Sequence, residues 1–293
     1  MTAFGLLAFG RRAVRAQQPD ADAGLLNEVF KGRPVADGSR LIAIDMPARA
    51  EDAAIVPVTM RATLAPGDGR KVRAFTLIVD QNPAPVAATF ALGDAAGVTS
   101  IATRVRVEGY TNVHAVAELS DGRLYAVKTF VKASGGCSAP ALKTVDEAQT
   151  RIGELKFRRF TPTDEAAPQR EAQIMVRHPN YSGMQMDPLS RLYTPALFVH
   201  ALLLWQGEAL VLAMDGGLSI LRESERSLQL SPERRQQLSR RNRRHQRPGV
   251  SRRVAGRRSA DVTARGNRDP ATRCRLIVRN SEPPPPPGRA ATR

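Results

Sequence analysis

The sequence predicts an all-β protein: two tandem immunoglobulin-like sandwiches, the second of them incomplete, followed by a disordered Arg-rich tail. Three observations predict it. Seven short stretches between residues 40 and 131 alternate apolar and polar residues, with turn signals between them. Four similar stretches follow between residues 155 and 214. After residue 220 the alternation stops, and no aromatic residue and no lysine occurs.

The first predicted domain covers residues 24–132. A short helix over Asp22–Lys31 opens it, with apolar side chains on one side and Pro34 as its stop. Ser120–Arg123 (Ser-Asp-Gly-Arg) predicts a hairpin turn between the last two strands. The predicted strands are Arg40–Asp45, Ile55–Leu64, Val72–Val79, Val86–Leu92, Thr99–Val107, Val113–Leu119 and Leu124–Val131.

The second predicted domain covers residues 151–220, after a linker over 133–150. Its predicted strands are Leu155–Phe160, Ala172–Arg177, Leu197–Trp205 and Ala209–Met214. About seven strands complete such a sandwich, so four leave it truncated.

The positive charge is concentrated in the tail. The chain has a formal net charge of +16. Residues 221–293 contain 20 Arg and 6 acidic residues, a net charge of +14, which leaves +2 for residues 1–220. The tail has no aromatic side chains for base stacking, so we predict no specific nucleic-acid partner. Its composition predicts disorder.

The N-terminal segment, residues 1–23, is interpreted as a degraded export signal. Its apolar stretch Phe4–Phe9 precedes the arginines that a signal peptide places first. The alternative is an ordinary disordered N-terminus. No apolar run approaches the roughly 20 residues of a membrane span, so none is predicted.

Cys137 is the candidate functional residue. It follows Gly135 and Gly136, whose backbone freedom predicts an exposed, mobile thiol on a flexible arm. Lys128 and Lys132 upstream would favour its thiolate. A nucleophilic or carrier thiol is one interpretation, and an inert thiol in a linker is the other.

A second polar, turn-rich patch covers His178–Asp187. A metal site needs three or four convergent ligands, and the four histidines of the chain lack ligand-like spacing. We therefore interpret the patch as a structural loop. The sequence also lacks a phosphate loop, a paired-histidine zinc helix and a nucleophile elbow, so no catalytic residue, cofactor or metal is predicted.

Several of these segments resemble a known family. Phe130–Cys137 is similar to the glycine-cysteine arm of SoxY, the sulfur-carrying subunit of the bacterial thiosulfate-oxidising system, and Pro47–Ala53 and Asn82–Pro85 also look like that domain. Arg177–Gly183 and Tyr193–Val199 resemble SoxZ, its partner subunit. Because both sets of segments occur on one chain, the whole resembles the fused SoxYZ-like carrier proteins associated with quinoprotein dehydrogenases.

The resemblance implies a periplasmic carrier without its own catalytic site. Cys137 would hold a sulfur compound covalently while Sox-type or quinoprotein dehydrogenase-pathway proteins act on it. A partner-docking loop would comprise His178, Pro179, Asn180, Tyr181 and Gly183. In SoxY the arm ends the chain, whereas here Ser138 and the linker follow. Two alternatives stay open: a non-covalent periplasmic scaffold or assembly factor for a quinoprotein dehydrogenase, and nucleic-acid binding through the tail.

The tail departs from this family after Ile220. The family has an Asn-Pro or Pro-Asn segment, alternating Phe residues and a closing Trp there, and this chain has none of them after Ile220. Codons for residues 222–262 can be chosen so that the loss of one base restores all three features. We therefore interpret residues 221–293 as translated out of frame, with a genuine Arg-rich extension as the alternative.

Overall fold

The computed structural model describes residues 21–94, 96–139, 155–159, 172–176, 178–187, 189–220, 227–232, 260–266 and 269–280. Within these ranges the chain forms one helix, α1 (Ala21–Val29), and fifteen strands. The strands are β1 (Val35–Asp37), β2 (Ile42–Asp45), β3 (Val56–Ala62), β4 (Val72–Val79), β5 (Val86–Leu92), β6 (Val98–Val105), β7 (Thr111–Leu119), β8 (Leu124–Val131), β9 (Leu155–Arg159), β10 (Ala172–Val176), β11 (Leu197–Gln206), β12 (Ala209–Gly216), β13 (Ser227–Pro232), β14 (Ala260–Gly266) and β15 (Asp269–Asn280).

Helix α1 covers the outer face of the larger sheet. The predicted apolar side of the helix is confirmed: Leu25, Leu26, Val29 and Phe30 pack on a buried cluster of sheet residues. That cluster consists of Ile78, Val116 and Leu124. The helix ends before Pro34, because Gly32 adopts a φ of 78° and its N–H bonds the Asn27 carbonyl at 2.8 Å.

The first half of the chain folds as a sandwich, as predicted. Strands β1, β8, β7, β4 and β5 form one layer, and β2, β3 and β6 form the other. The predicted strands correspond to β2–β8, whereas the three-residue β1, parallel to β8, was not predicted. In β3, Val56, Val58 and Met60 are buried on the core side and the intervening Pro57 is exposed. At the predicted hairpin turn, Gly122 adopts a φ of 77°.

The second half of the chain extends both layers. Strand β12 pairs with β5, with Met214 opposite Phe90. Strand β13 pairs with β6, with Leu230 opposite Ile101. The result is a nine-stranded sheet, in the order β1-β8-β7-β4-β5-β12-β11-β15-β14, and a six-stranded sheet, in the order β2-β3-β6-β13-β10-β9. The all-β sandwich prediction is confirmed, and one hydrophobic core runs through both halves.

Three of the described strands lie beyond residue 220. Strands β13, β14 and β15 lie in the stretch predicted to be a disordered tail, and they pair with strands of the sandwich. The disordered tail and the end of the second domain at Ile220 stay predictions. The rest of the tail, residues 1–20 and residues 140–150 of the linker lie outside the described residues.

Candidate functional site

The cysteine arm, residues 133–138, lies against the chain that follows β6. The N–H of Gly135 bonds the carbonyl of Glu108 at 2.8 Å, and the N–H of Gly136 bonds the carbonyl of Val107 at 3.0 Å. Gly135 adopts a φ of 76°, which favours glycine. A Cβ on Gly136 would lie 2.6 Å from the Val107 carbonyl oxygen and closer still to that of Ala53, so only glycine permits this approach.

Cys137 is buried, which corrects the prediction of an exposed thiol on a flexible arm. Its exposed fraction is 0%. Its N–H bonds Glu108 Oε2 at 2.7 Å, and its carbonyl accepts a hydrogen bond from Ser182 Oγ at 2.5 Å. The two-glycine segment thus serves close packing here, because its backbone groups find partners on two sides.

The surroundings of the thiol oppose its ionisation. Burial raises the pKa of Cys137 from the ordinary value of 9.0 to about 11, and the Glu108 carboxylate adds to the increase. Arg106 and a hydrogen bond from Ser219 lower the pKa in part. The expectation that Lys128 and Lys132 favour the thiolate is therefore wrong for this conformation.

Asn82 organises the polar network behind the arm. Its Nδ2 donates to the Arg106 carbonyl and to Ser219 Oγ, both at 2.8 Å. Its Oδ1 accepts from the N–H of Glu108 at 2.9 Å. Arg106 is fully buried, and its Nη2 donates to the Asn180 carbonyl at 2.5 Å. One asparagine thereby fixes the arm-binding residues of the first half against the second half.

The His178–Gly183 loop closes the site from the second half of the chain. Asn180 has a φ of 50°, its N–H bonds His178 Nδ1 at 3.0 Å, and its Oδ1 accepts from the Val199 N–H at 3.0 Å. Its Nδ2 also donates to the Ile220 carbonyl. Burial lowers the pKa of His178 to about 4, so the imidazole is neutral at pH 7.

The structure brings this loop to the cysteine arm, but it buries most of the predicted docking residues. His178, Asn180 and Tyr181 are at most 3% exposed, and Pro179 and Gly183 are half-buried. The contact with the arm comes from Ser182, which the sequence did not single out. In this conformation the predicted docking loop is packed inside the protein.

Four site residues received no role from the sequence: Arg106, Glu108, Ser219 and Ser182, although Ser182 lies within the predicted His178–Asp187 patch. A signal existed for the first two, because Arg106 and Glu108 alternate with valines at the end of a predicted strand. Charged residues at such positions often bind neighbouring backbone groups. Ser182 and Ser219 carry no comparable signal.

Two negative findings concern the described residues. No three His, Cys, Asp or Glu side chains among them lie close enough together to hold a metal ion. In the same part of the chain, no helix has the length and apolar character to cross a membrane.

Family comparisons match both halves of the chain. Residues 26–137 match the model of the sulfur oxidation protein SoxY, and residues 159–237 match that of the sulphur oxidation protein SoxZ. The chain thus carries a SoxY-like segment followed by a SoxZ-like segment. The SoxY match ends on Cys137 itself. The SoxZ match continues past residue 220, through the start of the predicted tail. No curated protein matches the chain.

Solved structures add weak similarities. The sulfur carrier protein SoxY from Chlorobium limicola f thiosulfatophilum is 22% identical, with 38% of this chain and 89% of that one covered and a TM-score of 0.31. Two variants of a superoxide reductase (neelaredoxin) from Ignicoccus hospitalis are each 11% identical, with a TM-score of 0.28. They cover 32% and 38% of this chain, and 81% and 90% of their own.

Proposed function

We propose that this SoxYZ-like protein is a periplasmic carrier that holds a sulfur compound covalently on Cys137 for partner proteins of a Sox-type pathway. One observation carries the proposal: the SoxY match ends on Cys137, and a SoxZ match follows on the same chain. The protein presents the cargo, and its partners perform the chemistry.

The proposed attachment forms an S–S bond to Cys137 Sγ. With thiosulfate as the cargo, the thiol and the dianion give an S–S-linked monoanion, one proton and two electrons. A redox cofactor of the loading partner takes up the two electrons, and solvent takes up the proton. The attacking or oxidised species is the thiolate, so loading requires Cys137 to ionise.

Loading also requires the cysteine arm to leave its docked position. In that position Cys137 is fully buried and its pKa is raised to about 11. Undocking breaks the hydrogen bonds of the Cys137 backbone to Glu108 and Ser182. Because the N–H groups of Gly135 and Gly136 bond carbonyls of residues 107–108 that lie outside the strands, the arm can separate from them without disturbing a strand.

A second candidate function is a non-covalent periplasmic scaffold or assembly factor for a quinoprotein dehydrogenase. The burial of Cys137 and its raised pKa favour this alternative, because a thiol without a chemical role is commonly buried in this way. The link to a quinoprotein dehydrogenase rests on the sequence resemblance of the fused arrangement.

The two cysteines of the chain allow a matched test. The carrier proposal predicts that Cys137→Ser abolishes oxidation of the sulfur compound by the native host, whereas Cys274→Ser retains it. Both variants are expressed from the chromosome and quantified by immunoblot. Full activity with Cys137→Ser, together with loss of activity when the gene is deleted, would favour the scaffold.

We further infer that residues 221–293 are translated out of frame. The support is the absence of three family features after Ile220 and a permitted one-base-shifted reading of residues 222–262 that restores them, whereas the SoxZ match itself extends to residue 237. The coding DNA tests this inference. A shifted frame that encodes the Pro-Asn segment, the alternating Phe residues and the Trp supports it, and the absence of such a frame overturns it.

A further inference from the structure

The 185–194 hairpin, between β10 and β11, exposes an unusual amount of apolar surface. Four of the seven exposed large apolar side chains of the described residues lie on it. Their exposed fractions are 45% for Met186, 94% for Leu189, 70% for Leu192 and 62% for Tyr193. Apolar residues clustered in this way on a protein surface commonly mark an interaction site.

The hairpin is a built structure. The Thr194 N–H bonds the Gln185 carbonyl at 2.8 Å, and the Asp187 N–H bonds the Leu192 carbonyl at 2.9 Å. Asp187 Oδ1 accepts hydrogen bonds from the N–H groups of Leu189 and Ser190 at 3.0 and 2.7 Å. The turn therefore holds the apolar side chains outward in an ordered arrangement.

The base of the hairpin is connected to the cysteine arm through Ser182. Gln185 Oε1 accepts from the Ser182 N–H at 2.9 Å, and Ser182 Oγ donates to the Cys137 carbonyl. A molecule that binds the hairpin is therefore next to the segment that must undock. This continuity connects the exposed apolar surface to the chemistry of Cys137.

The charges of the hairpin favour a protein as the occupant. Arg191 is its one cation, and Asp187 is its one anion. A single cation gives little attraction to an anionic membrane, where each basic residue contributes about 1 kcal/mol. Tyrosine and arginine, by contrast, are enriched at the energetic centres of protein interfaces.

We propose that the 185–194 hairpin is the docking surface for the protein that loads Cys137. The hairpin inserts Leu189, Leu192 and Tyr193 into an apolar pocket of that partner. This inference rests on the carrier function proposed above and adds the site at which the loading partner binds. The buried His178–Gly183 loop then supports the hairpin, and the hairpin makes the contact.

The test compares Leu189→Ser/Leu192→Ser with Leu210→Ser, a matched control. Leu210 is 37% exposed and lies at the β11–β12 turn, outside the hairpin. Purified, reduced proteins are incubated with thiosulfate, native-host extract and ferricyanide as the electron acceptor. All proteins carry Cys274→Ser, so intact-mass spectrometry follows the loading of Cys137 alone, and a blank without extract is subtracted. Melting curves verify folding, and Leu189→Glu alone replaces the double variant if that variant melts early.

We expect loading of the double variant to be at least about tenfold slower, the loss typical of removing interface anchors, with Leu210→Ser within about twofold of the parent. A double variant that loads as fast as the parent overturns the docking surface and leaves the carrier function standing. A parent chain that is not loaded overturns both.

Two further measurements exclude other occupants. Co-sedimentation uses 3:1 phosphatidylcholine–phosphatidylglycerol vesicles, and sedimentation velocity measures self-association. If the parent binds vesicles and the double variant does not, the hairpin binds a lipid surface and the proposal is overturned. If the parent dimerises and the double variant does not, the hairpin binds a second copy of the chain, which also overturns the proposal. Unchanged behaviour in both measurements supports it.

Discussion

Alkylation of Cys137 measures how firmly the cysteine arm is docked. The perturbation is Glu108→Gln, made in a Cys274→Ser background so that one thiol is left. At pH 8, a thiol with a pKa of 9.0 is about one-tenth thiolate, whereas a pKa of about 11 leaves about one-thousandth. Because the docked thiol is also fully buried, it is expected to react at least about 100-fold more slowly than the thiol of the unfolded chain.

The pH dependence of the alkylation rate distinguishes a raised pKa of Cys137 from slow mixing of the reagent or partial burial of the thiol. Labelling of the urea-unfolded chain should level off above about pH 9, the ordinary pKa of the thiol. Labelling of the folded chain should rise about tenfold per pH unit until the pKa of about 11. Iodoacetamide with timed quenching and intact-mass readout gives both rates.

Glu108→Gln should accelerate labelling of the folded protein. The substitution removes the charge from the acceptor of the 2.7 Å hydrogen bond to the Cys137 N–H. A hydrogen bond to a charged group contributes about 1 kcal/mol more than a neutral one, so the undocked population should grow by about fivefold. The loss of the carboxylate also removes one cause of the raised pKa of Cys137.

Glu118→Gln is the matched control, because Glu118 bonds the exposed Arg33 and lies opposite Leu124, at the far end of the β7–β8 pair from Val131, where the chain leads into the arm. Its labelling rate should equal that of the parent. A folded parent that reacts within about threefold of the unfolded chain would refute the docked arm. An unchanged rate in Glu108→Gln would refute the assigned role of Glu108.

Three further predictions concern the same site. The unfolding free energy of the parent should fall by about 3 kcal/mol as the pH falls from 6.5 towards 4. His178→Asn, which keeps an acceptor near the Nδ1 position, should not show this fall. The sign follows because the folded-state pKa is lowered, so protonation favours the unfolded chain. Gly136→Ala should displace the arm and speed alkylation of Cys137, since its Cβ would overlap the backbone of Ala53 and Val107. Gly135→Ala, with a cost of about 1–2 kcal/mol for its positive φ, should have the smaller effect. Asn180→Ala should lower the unfolding free energy by about 2–4 kcal/mol, because it leaves buried backbone groups unpaired.

Each of these predictions has a contradicting result. Urea unfolding at pH 7 and pH 4.5 tests His178→Asn, and an equal acid loss in parent and variant would show that His178 is not the titrating group. Equal alkylation rates for Gly136→Ala and the parent would contradict the close approach of the arm. A melting temperature of Asn180→Ala equal to that of the parent would contradict the bridging role of Asn180.

Strand positions followed from local sequence. Alternating apolar residues and a Ser-Asp-Gly-Arg turn were sufficient to predict β2–β8 within a few residues of their observed bounds. The three-residue β1 was missed because its parallel pairing with β8 depends on the tertiary fold. The joining of both halves through β5–β12 and β6–β13 was missed for the same reason: strand pairing across a chain is not a local property.

The candidate site, like the fold, was predictable from the local sequence only in part. The residue types around Cys137 identified it as the candidate, because two glycines and a thiol form a recognisable local pattern. Its burial depends on Glu108 and Ser182, which lie 29 and 45 residues away and meet only in the fold. Local composition therefore predicted a mobile arm, whereas long-range hydrogen bonds determine the docked one.

The carrier function is tested most directly by the mass of the Cys137 peptide from the native host. Cells oxidising a sulfur compound are quenched in acid, and the peptide is analysed before and after reduction. The carrier proposal predicts an added sulfur-containing mass on Cys137 that a thiol reductant removes, with no such mass on Cys274. An unmodified Cys137 in cells that are actively oxidising the compound would contradict it.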